Sequence, residues 1–439
     1  MALIKKILNF SLFRTSSIYT ISSFINAAIP FFLLPLLTNI LSPEDYGRVA
    51  MFQLAVSIIF PFMGMNLESA AGRMYYDKDN NTNYPSYIGA SLILFLGGVF
   101  LCVIILFFGS NIVVYLTQLP NTYVKFIIVV AICQFMTSLV LVILQVSVKP
   151  FSYGILQISQ TIVNITFTII FILILHQKWE GRIFAQILTG VIFALISICI
   201  LLKNRLIQFN IKKKYFSYAL KFGIPLLPHT LGGLLFTSVD RFFLTNLTEL
   251  AQTGNYSVAY QLGAVIGLLT SSINNAFVPW LFDNLNKDSE IIKKKIVIGT
   301  YFYFIGLIII ALILLLILPV IIYIFVGKSF TNITDFTTLI VFGFVFQGMY
   351  YMVTNYIFYV KKTHLLALIT ISIGLLKLPV TYFCITGLGP FGASVSHCIT
   401  FFLFFIFTWI LSSRVYKMPW VSSIKDCKII LLSIVKGKS

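Results

Sequence analysis

Twelve apolar stretches, each long enough to cross a bilayer, occupy nearly the whole 439-residue chain. A hydrocarbon core about 30 Å thick requires roughly 20 helical residues at about 1.5 Å each. The stretches form two groups of six, separated by a basic segment at residues 203–221. None of them alternates apolar and polar residues as the strands of a membrane barrel do. The sequence therefore predicts an all-α polytopic membrane protein with twelve transmembrane helices.

The predicted spans define the domain organisation. Those of the first half cover residues 16–39, 47–64, 86–108, 122–146, 154–175 and 183–202, and those of the second half cover 217–247, 254–281, 296–325, 335–360, 365–385 and 391–412. An interfacial N-terminal segment (1–14) precedes an N-lobe (15–202), a basic cytoplasmic linker (203–216), a C-lobe (217–413) and a cytoplasmic or interfacial tail (414–439). Two six-span halves are a known plan for transporters.

The basic residues predict the orientation, because short loops rich in Lys and Arg stay in the cytoplasm. Most of the 31 Lys and Arg residues lie in loops on one side of the predicted spans. The opposite loops and their borders hold Arg48, Lys125, Lys178, Arg182 and Lys328. Both termini are therefore expected in the cytoplasm. The net charge of +18 reflects this topology and attraction to anionic lipids, and no nucleic acid partner is expected because the charges are scattered.

Several classes of chemistry find no support in the sequence. The six Cys and four His residues are dispersed, so no metal site is expected. A phosphate-binding glycine loop is missing, which argues against ATP hydrolysis. The longest outward loops, 109–121 and 326–334, are too short to favour a membrane-embedded polysaccharide polymerase or ligase. We expect a transporter rather than an enzyme, with no cofactor, driven by a proton or sodium gradient or by removal of its substrate.

An internal echo relates the two halves. Leu37-Thr38-Asn39 is followed by Gly47, and Leu244-Thr245-Asn246 is followed by Gly254 with the same spacing at an offset of 207 residues. Each copy lies at the end of the first span of its half. Four identities in so biased a composition also arise by chance, so the echo supports related halves only together with its topological position.

Several motifs resemble one family. The segment from Phe31 to Gly47, FFLLPLLTNILSPEDYG, resembles the opening signature of bacterial polysaccharide flippases, the O-antigen (Wzx-type) branch of the multidrug/oligosaccharidyl-lipid/polysaccharide exporter superfamily. AAGRMYY at 70–76, GIPLLP at 223–228, Asp240-Arg241 and GNYS at 254–257 also match. The resemblance extends over the chain in length, span count and basic mid-loop.

The resemblance implies both a fold and a function. It implies a MATE-like, V-shaped pair of six-helix lobes in the bacterial inner membrane. The cargo would be an undecaprenyl-pyrophosphate-linked oligosaccharide, moved to the outer leaflet by alternating access. Membrane lipids, a polysaccharide polymerase and a chain-length regulator are the implied partners.

Charged and polar residues within spans are the candidates for a substrate cavity, because a charge at a helix centre costs about 2.5–3.5 kcal/mol on insertion scales unless it meets water or a partner. The candidates are Lys377, Arg241, Asp240, Glu68, Arg73, Gln53, Asn26, Gln261 and Asn274. Each also has a structural interpretation: Lys377 as a lysine bonded to backbone carbonyls, Glu68 and Arg73 as a solvated helix end, and the amides, with Asn164, as bonds between helices.

The prolines in the first span of each half are hinge candidates, namely Pro30, Pro35, Pro225 and Pro228. The main functional alternative is a drug/cation antiporter of the same superfamily. Such a protein would favour acidic cavity residues, whereas Lys377 and Arg241 favour an anionic cargo.

Overall fold

The computed structural model describes residues 31, 33–77, 83–209 and 212–423, and the regular structure among them is helical. The predictions for Asn26, Pro30, both termini and most of the first span lie outside the described residues. After the helical residues 33–40 the helices are α1 (Pro43–Gly64), α2 (Leu67–Met74), α3 (Tyr84–Thr117), α4 (Asn121–Val146), α5 (Pro150–Ile169) and α6 (Trp179–Lys203). They continue as α7 (Lys213–Leu247), α8 (Leu250–Leu285), α9 (Glu290–Phe325), α10 (Ile333–Tyr359), α11 (Thr363–Leu388) and α12 (Gly392–Val415).

Ten helical stretches in the described ranges are long and apolar enough to span a membrane. The last of these, Thr363–Val415, contains the predicted eleventh and twelfth spans. Every predicted span from the second to the twelfth therefore coincides with a helix. The expected all-α, multi-pass membrane fold is confirmed.

Two compact units are formed by the chain. The first contains the described residues through Ser257 together with Gly327–Thr331, and the second contains Val258–Val326 and the described residues from Asn332 onward. In the first unit, α3 and α4 meet at Phe95 and Phe135, whose stacked rings lie 3.8 Å apart. In the second, α10 and α12 meet at Tyr350 and Phe404, stacked at 4.2 Å. The predicted lobe boundary at 203–216 stays a prediction.

The family-like segment Ser42-Pro43-Glu44-Asp45 is a helix start. The Ser42 hydroxyl accepts a hydrogen bond from the Asp45 amide at 3.1 Å, and the Asp45 carboxylate accepts one from the Ser42 amide at 3.4 Å. This capping box satisfies amides that the first turn leaves unpaired, and Pro43 occupies the first turn, where no donor is lost. The local sequence thus fixes where α1 begins.

The internal echo joins two helix starts within the first unit. A β-carbon on Gly47 of α1 would overlap the carbonyl oxygen of Leu250, and one on Gly254 of α8 would overlap that of Pro43. The 207-residue offset found in the sequence relates Pro43 to Leu250 and Gly47 to Gly254, so each of these two contacts is the counterpart of the other. The two backbones cross so closely that only glycine fits at positions 47 and 254.

The threonines of the two motifs also make contacts nearby within the first unit, Thr38 through its hydroxyl and Thr245 through its backbone carbonyl. The Thr38 hydroxyl accepts a hydrogen bond from the Gly327 amide at 3.0 Å, and Gln118 donates to the Thr245 carbonyl at 2.6 Å. Each threonine therefore binds the chain just beyond the end of a long helix, α9 for Thr38 and α3 for Thr245. We refer to the Gly47–Gly254 crossing with these two contacts as the clasp.

Candidate functional site: a polar cavity in the first unit

A cavity of about 620 Å³ lies among α1, α4, α5 and α6. Each helix contributes side chains spaced three or four residues apart, which places them on one face. On α1 this face carries Gln53, Val56, Ser57 and Phe60. The four faces together border a space lined by apolar surface and by many polar side chains. Its polar side chains are Gln53, Ser57, Gln134, Thr137, Ser138, Gln160, Thr161, Asn164, Arg182, Gln186 and Thr189.

The polar side chains of the cavity wall are unfavourable in free energy within a membrane unless water or a polar ligand fills the cavity. Gln53 and Gln134 lie in the middle of membrane-spanning helices, and both are exposed. An amide without a hydrogen-bond partner is unfavourable in hydrocarbon by several kcal/mol. The cavity is therefore suited to water and to a hydroxyl-rich ligand rather than to lipid tails.

Arg182 is the charged side chain in this wall. It lies in the first turn of α6, and its Nη1 donates to Asn164 Oδ1 at 2.6 Å and to Thr168 Oγ1 at 2.7 Å. Among the described residues no carboxylate forms an ion pair with it. Both partners are neutral, so the positive charge is held in place without being compensated. A guanidinium presented in this way is suited to an oxyanion.

Two arginines lie near one buried tyrosine outside the cavity lining. The buried hydroxyl of Tyr46, on α1, lies within the electrostatic reach of Arg182 and of Arg241 on α7. Arg241 donates to Ser257 Oγ at 3.1 Å and to the Thr237 carbonyl at 2.8 Å. The neighbouring Asp240 is fully buried and accepts from the Tyr256 hydroxyl at 2.8 Å. Adjacent positions on α7 thus have different partners.

The structure distributes the sequence candidates over several places. Gln53 lines the cavity, and so does Asn164. Glu68 is buried on α2, while Arg73 is exposed with Nη2 3.7 Å from Asp77.

The remaining described candidates are elsewhere. In the second unit Lys377 is fully buried on α11, Gln261 is partly buried on α8, and Asn274 accepts from Asn355 at 2.8 Å. Pro35 lies in the helical residues 33–40, and Pro225 and Pro228 lie inside α7. Substrate and hinge roles for these residues stay predictions.

Sequence reasoning missed most of the cavity. Arg182 was placed at a loop border, and Gln134, Gln160 and Gln186 were not singled out. A usable signal was nevertheless present, because Arg182, Gln186 and Thr189 repeat at helical spacing within an otherwise apolar span.

Comparisons with known proteins define the family. A family model described as "Polysaccharide biosynthesis protein" matches residues 12–285, which is more than half of the chain. The chain therefore belongs to this family. It is 27% identical to an uncharacterized membrane protein of Haemophilus influenzae, with 80% of this chain and 85% of that protein covered. It is 23% identical to Lsg locus putative protein 1 of the same species, over 81% and 86% of the two chains.

Solved structures confirm the expected superfamily fold. An inward-facing multidrug resistance MATE family transporter of the MOP superfamily has a TM-score of 0.65 at 17% identity, with 90% of this chain and 94% of the other covered. The lipid II flippase MurJ in an inward closed conformation has a TM-score of 0.67 at 16% identity, over 94% and 92% of the two chains. At this identity the likeness concerns the fold.

Proposed function

We propose that this protein is a flippase that moves undecaprenyl-pyrophosphate-linked oligosaccharide repeat units across the bacterial inner membrane, for O-antigen or a related polysaccharide, by alternating access. The observation that carries the proposal is the polar cavity with Arg182 in its wall. A glycan offers many hydroxyl groups, which amides and hydroxyls bind, and a pyrophosphate or an acidic sugar offers the oxyanion that a guanidinium binds. Membership of the polysaccharide biosynthesis family supports the same cargo class.

The cavity wall also bears on the alternatives. A drug/cation antiporter would be expected to present a carboxylate to its cationic substrate, whereas the cavity wall among the described residues contains Arg182 and no Asp or Glu. A polymerase or ligase is disfavoured by the short outward loops. We further propose that both termini face the cytoplasm, that an ion gradient drives transport without a cofactor, and that a polymerase and a chain-length regulator act on the delivered units.

Deleting the gene is expected to abolish surface polysaccharide while lipid-linked repeat units accumulate in the cytoplasmic leaflet. The cause is that a charged, hydrated headgroup does not cross hydrocarbon unaided. The measurement is quantification of lipid-linked saccharide in each leaflet, with a complemented strain as control. Normal surface polymer together with new drug sensitivity would instead identify the antiporter.

A further inference from the structure

A break between α1 and α2 carries a buried carboxylic acid. α1 ends at Gly64, and α2 begins at Leu67. Met65 and Asn66 between them have φ values of 46° and 52°, in the left-handed region that residues with a side chain rarely adopt. Two successive residues in this conformation interrupt the helix. The surrounding structure must therefore hold the break in place.

The break is held by the proline-containing part of α7. The side chain of Asn66 donates to the Gly223 carbonyl at 3.3 Å and accepts from the Thr230 hydroxyl at 3.2 Å. Between these two positions α7 contains Pro225 and Pro228, which cannot donate the usual backbone hydrogen bonds. Two weakened helical segments are thus joined through one side chain.

Glu68 is the second residue of α2, directly after the break. Its side chain is 8% exposed, and its Oε2 has no hydrogen-bond partner among the described residues. Gly64 at the end of α1 borders both Oε2 and the ring of Phe135, so the space beside the carboxyl is partly apolar. α2, with eight residues, is too short to span a membrane by itself, and burial raises the pKa of the Glu68 carboxyl. Burial therefore disfavours the charged form of this acid relative to an exposed glutamate.

The charged groups around Glu68 do not compensate it. Titratable side chains lie on α2 itself and on the three helices packed against it. They are Arg73 on α2, Tyr84, Tyr87, Cys102 and Tyr115 on α3, Tyr123, Lys125 and Cys133 on α4, and Lys213, Lys214, Tyr215, Tyr218, Lys221, His229, Asp240 and Arg241 on α7. In the part of the chain that the structure describes, none of them bonds to Glu68, whose electrostatic environment consists of burial and its own backbone amide.

We propose that Glu68 is a proton-binding site that couples the transport cycle to a proton gradient through the α1–α2 break. The proposal rests on the proposed flippase function. We call the break closed in the observed state, in which Glu68 is buried, and open in a state in which water reaches Glu68. A proton adds to the carboxylate in the closed state and leaves it in the open state. Because the proton binds the two states with different affinity, it shifts the equilibrium between them. A sodium ion would need several oxygen ligands, which the apolar wall at Phe135 does not provide.

The sign of the pH dependence follows from the raised pKa. Below that pKa the neutral acid stabilises the closed break. As the pH rises through that pKa, the carboxyl loses its proton. The resulting negative charge disfavours burial of Glu68 and favours the open state.

The test uses the full-length protein in lipid vesicles and has two readouts. pH-difference infrared spectra report a protonated buried carboxyl directly, without cargo. Accumulation of a lipid-linked saccharide driven by a pH gradient reports coupling. We expect Glu68→Gln to lose the titrating carboxyl signal and gradient-driven accumulation while still equilibrating cargo between leaflets. Glu290→Gln is the matched control, because Glu290 is exposed beside Lys293.

The outcomes separate the two proposals. If Glu68→Gln keeps the infrared signal, or accumulates cargo as the parent does, Glu68 is not the coupling site. If the parent moves no saccharide but shows a titrating carboxyl that Glu68→Gln lacks, the proton site stands and the flippase function fails. Glu68→Asp keeps the acid on a shorter side chain and is expected to restore part of the coupling.

Discussion

Gly254→Ala is expected to abolish polysaccharide export and to lower the melting temperature of the purified protein. The new β-carbon would overlap the Pro43 carbonyl oxygen at the clasp, and a backbone atom cannot rotate away as a side chain does. Overpacking a tight contact destabilises a protein by about 1–3 kcal/mol, and more where the backbone must move. Gly47→Ala, which would meet the Leu250 carbonyl, is expected to have a similar effect.

The control for this pair is Gly233→Ala. Gly233 lies in α7, and a β-carbon there would have open space around it. Alanine favours the helix over glycine by about 1 kcal/mol, so this variant is expected to be as stable as the parent or slightly more stable. The account of the clasp would be wrong if Gly254→Ala matched Gly233→Ala in protein level, melting temperature and export.

Arg182→Gln is expected to lose export at a normal protein level. The substitution removes the charge from the cavity wall and keeps a polar side chain, so the loss would come from cargo binding. A hydrogen bond to a charged group contributes about 1.5–3 kcal/mol, which corresponds to roughly 10- to 100-fold weaker binding. Arg182→Lys is expected to retain part of the activity, because it keeps the charge but not the planar group that Asn164 and Thr168 hold.

Two further variants make this experiment specific. Asn164→Ala is expected to reduce export less than Arg182→Gln, since Thr168 still holds the guanidinium. Lys125→Gln removes an exposed positive charge outside the cavity wall and is expected to leave export unchanged. Export by Arg182→Gln at the parent's rate would remove this arginine from the site.

The fold could be predicted because each membrane span is identified by the hydropathy and length of its own segment, without knowledge of its neighbours. The positions of α3 to α12 follow from apolar runs, and the start of α1 follows from the Ser42 capping box. The 207-residue echo also carried three-dimensional information. It marked Gly47 and Gly254, whose helices cross in the first unit.

The cavity was less predictable because it depends on which helix faces meet. Lys377 was conspicuous as a charge within a span, yet it is fully buried in the second unit. Arg182 was inconspicuous because the first turn of α6 resembles a loop border. Its role depends on Asn164 and Thr168 of α5, which continues after Ile169 as a wider π-helical turn, Ile170–Ile174. Sequence spacing within one helix does not reveal such a partnership between two.

Reconstitution tests the central claim most directly. The purified protein would be placed in vesicles containing an undecaprenyl-pyrophosphate-linked oligosaccharide with a fluorescent sugar, and the fraction accessible to an impermeant quencher would be followed over time. The account predicts that the parent moves the saccharide between leaflets, whereas Arg182→Gln and protein-free vesicles do not. Movement that is equally fast with Arg182→Gln, or no movement by the folded parent, would contradict it.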